Sequence, residues 1–365
     1  MRVARITIAI AAITAASSLV AAATPAQAHN PKPDPSTTVV TTSVAVPFNL
    51  DVSRGRILVA DGGLNQVAKV KADGSVVPVV TGAEGTSGVA TSRNSKYLAY
   101  TTTVGGPPAG ISASGVTILG PGGSTVTADT LAYEKAHNPD GKIHYGVTNP
   151  SKCVTDALAA AQFPVDYMGA IDSHAYSLAA WGDGFVLADA GANALLYISR
   201  SGRISTLAVL PAQPSTITPA AAAELGLDPC VGGVSYAFEA VPTDVEVGRD
   251  GFLYVTVLPG GPESAALGAR GKVYRVNPWN GRLREVASGL LGATNLALSE
   301  GRIYVAEFFA GRVALVRHGK VREFLSLPGV VSIEAGPHGS LYAGTGLSGP
   351  PSVVRIDTHS RGWRS

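Results

Sequence analysis

The sequence predicts an all-β fold, a six-bladed β-propeller of four-stranded antiparallel blades, on three observations. Apolar or alternating runs of about five residues recur, as strands require. They come in fours, separated by Gly-bearing turns. The group of four repeats about every forty residues wherever nothing is inserted, the mark of a radially repeated sheet. The clearest copy is Val241–Leu290, with strands Thr243–Val247, Phe252–Val257, Lys272–Asn277 and Arg282–Ala287. Arg249-Asp250-Gly251 and Trp279-Asn280-Gly281 form its hairpin turns.

In chain order, the first 28 residues carry Arg2 and Arg5, an apolar run from Ile6 and an Ala26-Gln27-Ala28 cleavage site, which predicts a secretory signal cut after Ala28 and a secreted, extracellular protein. Residues 29–36, with Pro31, Pro33 and Pro35, read as a flexible leader. No later segment is apolar enough to span a bilayer. The propeller is expected over residues 37–357, followed by a tail at 358–365. Blade one runs from Phe48 to Val80, blade two from Ser87 to Ala128, blade three from Tyr176 to Leu210, blade four through the copy above, and blade five from Thr294 to Leu327. Blade six, from Val331 to Ile356, has three strands. The lone strand Thr37–Val44 is expected to supply its fourth, closing the ring by pairing the two termini and removing an exposed edge.

Long connections fall on one face: inserts 128–171 and 211–240 between blades, and Thr103–Gly115, Leu258–Gly271 and Thr345–Pro351 within them. The other face has turns of two or three residues. Functional loops ride on a rigid scaffold, so a site is expected on the elaborated face at the channel mouth. Asn149-Pro150 signals a helix over Ser151–Gln162, and Thr218-Pro219 one over Ala220–Leu225. The two cysteines, Cys153 and Cys230, fall one in each insert, and in an exported chain they are expected to form a disulfide.

The blades are NHL/SMP-30-like, and several stretches resemble the ScyD/ScyE family of secreted six-bladed propellers, common in actinobacteria. These are ADTLAYEKAHNPDG at Ala128–Gly141, DSHAYSL at Asp172–Leu178, LADAGANALLYI at Leu187–Ile198, STLAVLP at Ser205–Pro211 and VPTDVEVGRDGFLYV at Val241–Val255. The chain departs from the family pattern at His137, His174, Ala175 and Ser177. The resemblance covers most of the mature chain and implies the fold and export, without a carried-over activity.

The chemistry-bearing positions open the inner strands. One column is Phe48, Ser87, Tyr176, Thr243, Thr294 and Val331; the next is Asn49, Gly88, Ser177, Asp244, Asn295 and Ser332. The ligand-binding set expected from them is Asn49, Tyr176, Ser177, Thr243, Asp244, Thr294 and Asn295. Propellers that are metal-dependent lactonases ligate through Asn, Asp and Glu at such places. Here only Asp244 is charged, and a hard cation wants several oxygens, including carboxylates. No metal or other cofactor is therefore expected, with Ca²⁺ in the central channel as the alternative. The plain alternative for both columns is that they bond channel water and inner-strand backbone. His174, two residues from Asp172, and Asp244 are the catalytic candidates; Ser173 lacks a nucleophile elbow. Asp61, Asp189 and Glu307, each ending a second strand, read as loop N–H acceptors. A net charge of +2 and 6% aromatic residues argue against a nucleic-acid partner. The expectation is a monomer binding a small molecule, glycan or extracellular protein. A hydrolase or lyase acting at the channel mouth through Asp244, Asn295, Asn49 and His174 is the alternative.

Overall fold

The computed structural model describes residues 35–106, 110–262 and 264–358. The expected secretory signal, the leader up to residue 34 and the tail from residue 359 lie outside the described residues. The described residues build seven four-stranded antiparallel sheets. The first is Pro47–Ser53, Arg56–Asp61, Gln66–Val70 and Val76–Thr81; the second is Val89–Thr91, Leu98–Gly106, Gly110–Leu119 and Thr125–Asp129. The third is Ala175–Trp181, Gly184–Asp189, Ala194–Ile198 and Ile204–Val209; the fourth is Pro242–Val247, Leu253–Val257, Gly271–Val276 and Leu283–Leu290. The fifth is Ala293–Ser299, Arg302–Glu307, Arg312–Arg317 and Lys320–Ser326. The sixth is Val330–Ala335, Leu341–Thr345 and Ser352–Asp357, with Ser36–Thr41 added to its outer edge.

Two-residue turns with positive φ at both positions match the right-handed twist of the strands they join. Arg54-Gly55 (φ 49° and 74°), Glu300-Gly301 (51° and 73°) and His318-Gly319 (50° and 75°) are of this kind. The apolar side chains these strands project meet between sheets. Ala99, Val116 and Ile118 of the second pack on Phe185, Leu187 and Leu196 of the third, and Val186 and Leu195 of the third pack on Val245, Val255 and Val257 of the fourth. Equivalent cores join fourth to fifth, fifth to sixth, first to second, and first to sixth. Each fully buried Leu, Val or Phe contributes about 1.5–3 kcal/mol, so the stacking of sheets, more than any one sheet, holds the fold. The first strand of each sheet touches those of its neighbours, which makes the arrangement propeller-like.

Four local differences from the sequence reading have physical causes. The N-terminal strand pairs with Ser352–Asp357 only over Ser36–Thr41, because the Thr41 hydroxyl takes the Ser43 N–H and turns the chain inward, burying Val44 between the first and sixth sheets. Thr103–Gly115, read as a loop, is mostly strand: Leu98–Gly106 and Gly110–Leu119 pair as one long hairpin. Thr101 and Thr103 are buried in it, so β-branched hydroxyl residues filled positions where an apolar pattern was sought. The second sheet's first strand is Val89–Thr91, starting after the expected opening of that blade at Ser87, because the Thr101 hydroxyl takes the N–H groups of Ser87 and Gly88. The inserts, finally, are not loops. His144–Gly146 and Asp166–Met168 from one join Gln213–Thr216 and Ser235–Phe238 from the other in the seventh sheet, linked at Gly146 and Ala237.

Three helices belong to these inserts: α1 (Thr130–His137), α2 (Lys152–Ala160) and α3 (Pro219–Glu224). The sequence reading missed α1, which Asp129 caps by accepting from Ala132 N at 2.8 Å and Asn138 ends in the left-handed conformation. The cap of α2 is Ser151 rather than Asn149, whose φ of 52° places it outside the helix. Thr218 caps α3 with Pro219 in its first turn, as expected. Val154 and Leu158 of α2, Ile217, Ala221, Tyr236 and Phe238 form the inserts' own core.

Cys153 of α2 and Cys230 are joined as a disulfide, 6.4 Å apart at Cα and 77 residues apart in sequence. Closing so long a loop removes unfolded-state entropy worth about 4 kcal/mol. Reduction is therefore expected to lower unfolding free energy by that order. Equal denaturation midpoints with and without reductant, at full thiol release, would contradict it.

Candidate functional site at the axis of the sheets

The first strands present three successive positions towards the axis, and each has a different task. The first is a β-bulge. Register shifts occur between Pro47 and Asn49, Ala175 and Ser177, Pro242 and Asp244, Ala293 and Asn295, and Val330 and Ser332. The extra residue in each is Phe48, Tyr176, Thr243, Thr294 or Val331, the first sequence column. A bulge re-aims a side chain. Phe48 and Tyr176 meet edge to face at 6.3 Å, and His174 stands against Tyr176 at 5.4 Å, so the end where the strands begin is partly aromatic. Thr243 and Thr294 instead turn their hydroxyls onto backbone: Thr243 Oγ1 donates to Ala293 O at 2.9 Å and Thr294 Oγ1 to Ala306 O at 3.3 Å.

The second position is a belt of hydrogen bonds from sheet to sheet. Asn49 Oδ1 accepts from Val89 N at 3.3 Å, Asp244 Oδ2 from Leu296 N at 2.8 Å and Asn295 Oδ1 from Ile333 N at 2.7 Å. Ser332 Oγ donates to Pro47 O at 2.6 Å. Ser177 Oγ donates to Asp244 Oδ1 at 2.5 Å and accepts from Asn49 Nδ2 at 3.3 Å. All five are buried. An inner strand has no neighbour on its axial side, and these side chains satisfy N–H groups that would otherwise be orphaned. Asn49, Ser177, Asp244 and Asn295 are thus brought together, as bonds between sheets. Burial pushes the Asp244 carboxyl up to about 6, against the pull of its Ser177, Leu296 and Val245 donors.

The third position, two residues further along and nearer the short turns, was missed by the sequence reading. Asp51, Glu246 and Glu334 stand there, partly accessible. Glu246 and Glu334 belong to the fourth and sixth sheets, yet their carboxyls are close enough for each to act on the other. Burial and the charges of their acidic neighbours hold both well above the usual carboxylate range. Asp51 is raised by burial as well. Asp51 Oδ2, Ser53 Oγ and Thr91 Oγ1 cluster as buried polar atoms without a well-formed hydrogen bond, although both hydroxyls lie close enough to favour the charged Asp51. A signal for this position exists: Asn49-Leu-Asp51, Asp244-Val-Glu246 and Ser332-Ile-Glu334 each place an acid two residues after a belt residue. Among the described residues no three of these carboxylates gather within 4.8 Å, so Ca²⁺ at the axis would reach at most two at once.

The remaining candidates bond the loops around the third sheet and the strand ends. His174 donates its backbone N–H to Asp189 Oδ1 at 2.7 Å; burial lowers its imidazole, and Asp172 acts on it only as a nearby charge. Ser173 Oγ donates to Asp189 Oδ2 at 2.7 Å. Asp61 accepts from Ala45 N and Val46 N, and Glu307 from Leu291 N and Arg312 Nε, the loop chemistry read from their positions.

No family model matches the chain, and no curated protein sequence does. Solved structures do. A gluconolactonase of Xanthomonas campestris superposes with a TM-score of 0.52 at 12% identity, covering 88% of this chain and 89% of its own. A glucose dehydrogenase gives 0.52 at 12%, covering 89% and 100%. A protein of unknown function from Bacteroides thetaiotaomicron gives 0.52 at 9%, covering 88% and 75%. At such identities the likeness is one of fold, and the fold this chain shares with them is all-β and propeller-like.

Proposed function

We propose that this chain is an exported six-bladed propeller of the ScyD/ScyE type, closed by the pairing of Ser36–Thr41 with Ser352–Asp357. It binds a small molecule rich in hydroxyl or amino groups at the acidic end of its axis. Three features support closure: that strand pairing, the unbroken cycle of contacts among first strands, and the apolar core between first and sixth sheets. The exposed disulfide accords with export. The observation that carries the binding reading is the Glu246–Glu334 pair. A proton held between the two carboxyls would offer a donor and strong acceptors side by side, and Asp51 Oδ2, Ser53 Oγ and Thr91 Oγ1 stand nearby without a well-formed hydrogen bond. The belt side chains above them are engaged in bonds between sheets, which favours the trimmed end over the expected mouth.

The test is a thermal-shift and calorimetric screen of polyols, sugar lactones and small amines against the wild type, followed by Glu246→Gln and Glu334→Gln. A hit should lose at least about tenfold in affinity in either variant, the worth of one charge-assisted hydrogen bond. Undiminished binding in both folded variants would refute the site. A second reading, a hydrolase or lyase, rests on the same pair, since two adjacent carboxyls can divide acid and base roles. Turnover of a sugar lactone by the wild type and its loss in Glu246→Gln would favour that reading over binding alone.

A further inference from the structure

Away from the axis, where the first insert meets the third sheet, buried acceptors accumulate without donors. Both carboxylate oxygens of Glu134, Oδ1 of Asn138 and Oδ1 of Asp140 are buried with no hydrogen-bond partner, four such atoms within seven residues. Glu134 and Asp140 are each 1% exposed. The local fold fixes them there. Glu134 lies on the inward side of α1, one turn before its end, and its carbonyl accepts from Asn138 N at 2.8 Å. Asn138 then leaves in the left-handed conformation, and a tight turn closes through Gly141 N on Asn138 O at 3.0 Å, bringing Asp140 inward. The Asn138 side chain is oriented by its own bond, Nδ2 donating to Gly169 O at 3.0 Å, which leaves Oδ1 as the free end. Gly169 also packs directly on Asp140 Oδ1, where any Cβ would collide. The other Asp140 oxygen is held by Tyr145 Oη at 3.0 Å and Asn193 Nδ2 at 2.8 Å, so the unpaired oxygen is presented in a set direction.

Asp189, Asp140 and Asp172 all lie near enough to act on Glu134 as charges. The Asp172 N–H leans towards its carboxyl without completing a bond. No cationic side chain figures among the groups acting on Glu134 or Asp140. Leaving buried acceptors unpaired costs about 1–3 kcal/mol each, and more when charged. Asp244 at the axis relieves that cost by accepting from Ser177 Oγ and Leu296 N; these four atoms have no such well-formed donor.

We infer that Glu134, Asn138 and Asp140 form the protein half of a structural Ca²⁺ site that ties the first insert to the third sheet. Ca²⁺ takes six to eight oxygens, and an Asn carbonyl beside carboxylates is ordinary for it. Glu134, Asp140 and Asp172 do not all gather within 4.8 Å of one another, so two buried carboxylates and Asn138 ligate directly, and backbone carbonyls and water complete the shell. Exposed Asp172 stands at the rim as the entry-side charge.

The experiment uses the full mature protein, stripped with chelator and titrated with CaCl₂ by calorimetry and thermal melting, with MgCl₂ and ZnCl₂ as comparators. One Ca²⁺ per chain is expected, with a Kd on the order of 10⁻⁴ M or tighter, a melting temperature that rises with Ca²⁺, and weaker response to Mg²⁺ and Zn²⁺. Glu134→Gln and Asp140→Asn should each weaken Ca²⁺ at least about tenfold, whereas Glu246→Gln at the axis should leave it unchanged. Should either ligand variant fail to fold, stoichiometric Ca²⁺ on the wild type and its persistence in Glu246→Gln still decide between the two acidic regions. A wild type that binds no Ca²⁺, or binds it equally after Glu134→Gln, overturns the site. In the first case Glu134 is a permanently protonated core residue, and Glu134→Gln should melt like the wild type at every Ca²⁺ concentration.

Discussion

Lowering the pH from about 7 to about 5 is expected to stabilise the protein, the reverse of ordinary acid denaturation. The cause is the axial carboxyls. Asp244 is raised from 3.8 to about 6, and Asp51, Glu246 and Glu334 are raised with it, so the folded state holds protons that the unfolded chain releases. Below the unfolded values both states are protonated and the advantage is complete. As pH climbs, the unfolded chain ionises first and the advantage drains away through the folded values. Asp244 alone contributes on the order of 3 kcal/mol to this loss across the window from about 4 to about 6. The Glu246–Glu334 pair extends the loss above it, since its protons must finally leave a site where two charges face each other. Denaturant unfolding between pH 5 and 7.5 measures this directly. A free energy that is flat, or that rises with pH, would show that the acids are solvated and independent. The Glu246→Gln variant should flatten the upper part of the profile.

Replacing Asp244 by alanine is expected to cost about 3–5 kcal/mol, among the largest single losses available in this fold. Its carboxyl ties three sheets: Ser177 of the third donates to one oxygen, and Leu296 N of the fifth donates to the other. Truncation leaves a buried hydroxyl and a buried backbone N–H unpaired and opens a cavity beside the bulge. Asp244→Asn, which keeps an acceptor for Leu296 N, should cost far less, near 1 kcal/mol. The ratio separates a structural belt from a ligand site. If Asp244→Ala unfolds with the wild-type midpoint but loses a bound small molecule, the residue belongs to the site after all, and the acidic end two residues further along loses its claim.

The two chemical columns were legible in the sequence because inner strands repeat with fixed spacing, so equivalent residues align without any knowledge of their surroundings. Their meaning was not legible. Asn49, Asp244 and Asn295 look like a ligand set, since amides and carboxylates at strand ends suit metals and substrates equally well. Only assembly shows that each faces an N–H of the next sheet, from a strand about forty residues away in sequence. Asp51, Glu246 and Glu334 went unread for a related reason: in a linear chain each is an exposed-face polar residue of an alternating strand, and nothing local says that the fourth and sixth sheets point theirs at one another. In the same way α1 carried legible caps at Asp129 and Asn138, while the four unpaired oxygens it positions became visible only when Gly169 and the third sheet closed over them.

What the sequence determined by itself was the repeat: strand lengths, turns with glycine where positive φ is required, the pairing of the two cysteines, and the partnership of a lone N-terminal strand with a three-stranded last sheet. These follow from local preferences and from counting, which survive without coordinates. The tertiary structure decided everything that depends on proximity between sheets. The belt, the facing carboxyls at the axis and the acceptor cluster under α1 are long-range contacts, and the energies that give them roles come from burial and from the charge of neighbours distant in the chain. Those are properties of the assembled interior, where a carboxyl's partner is chosen by packing.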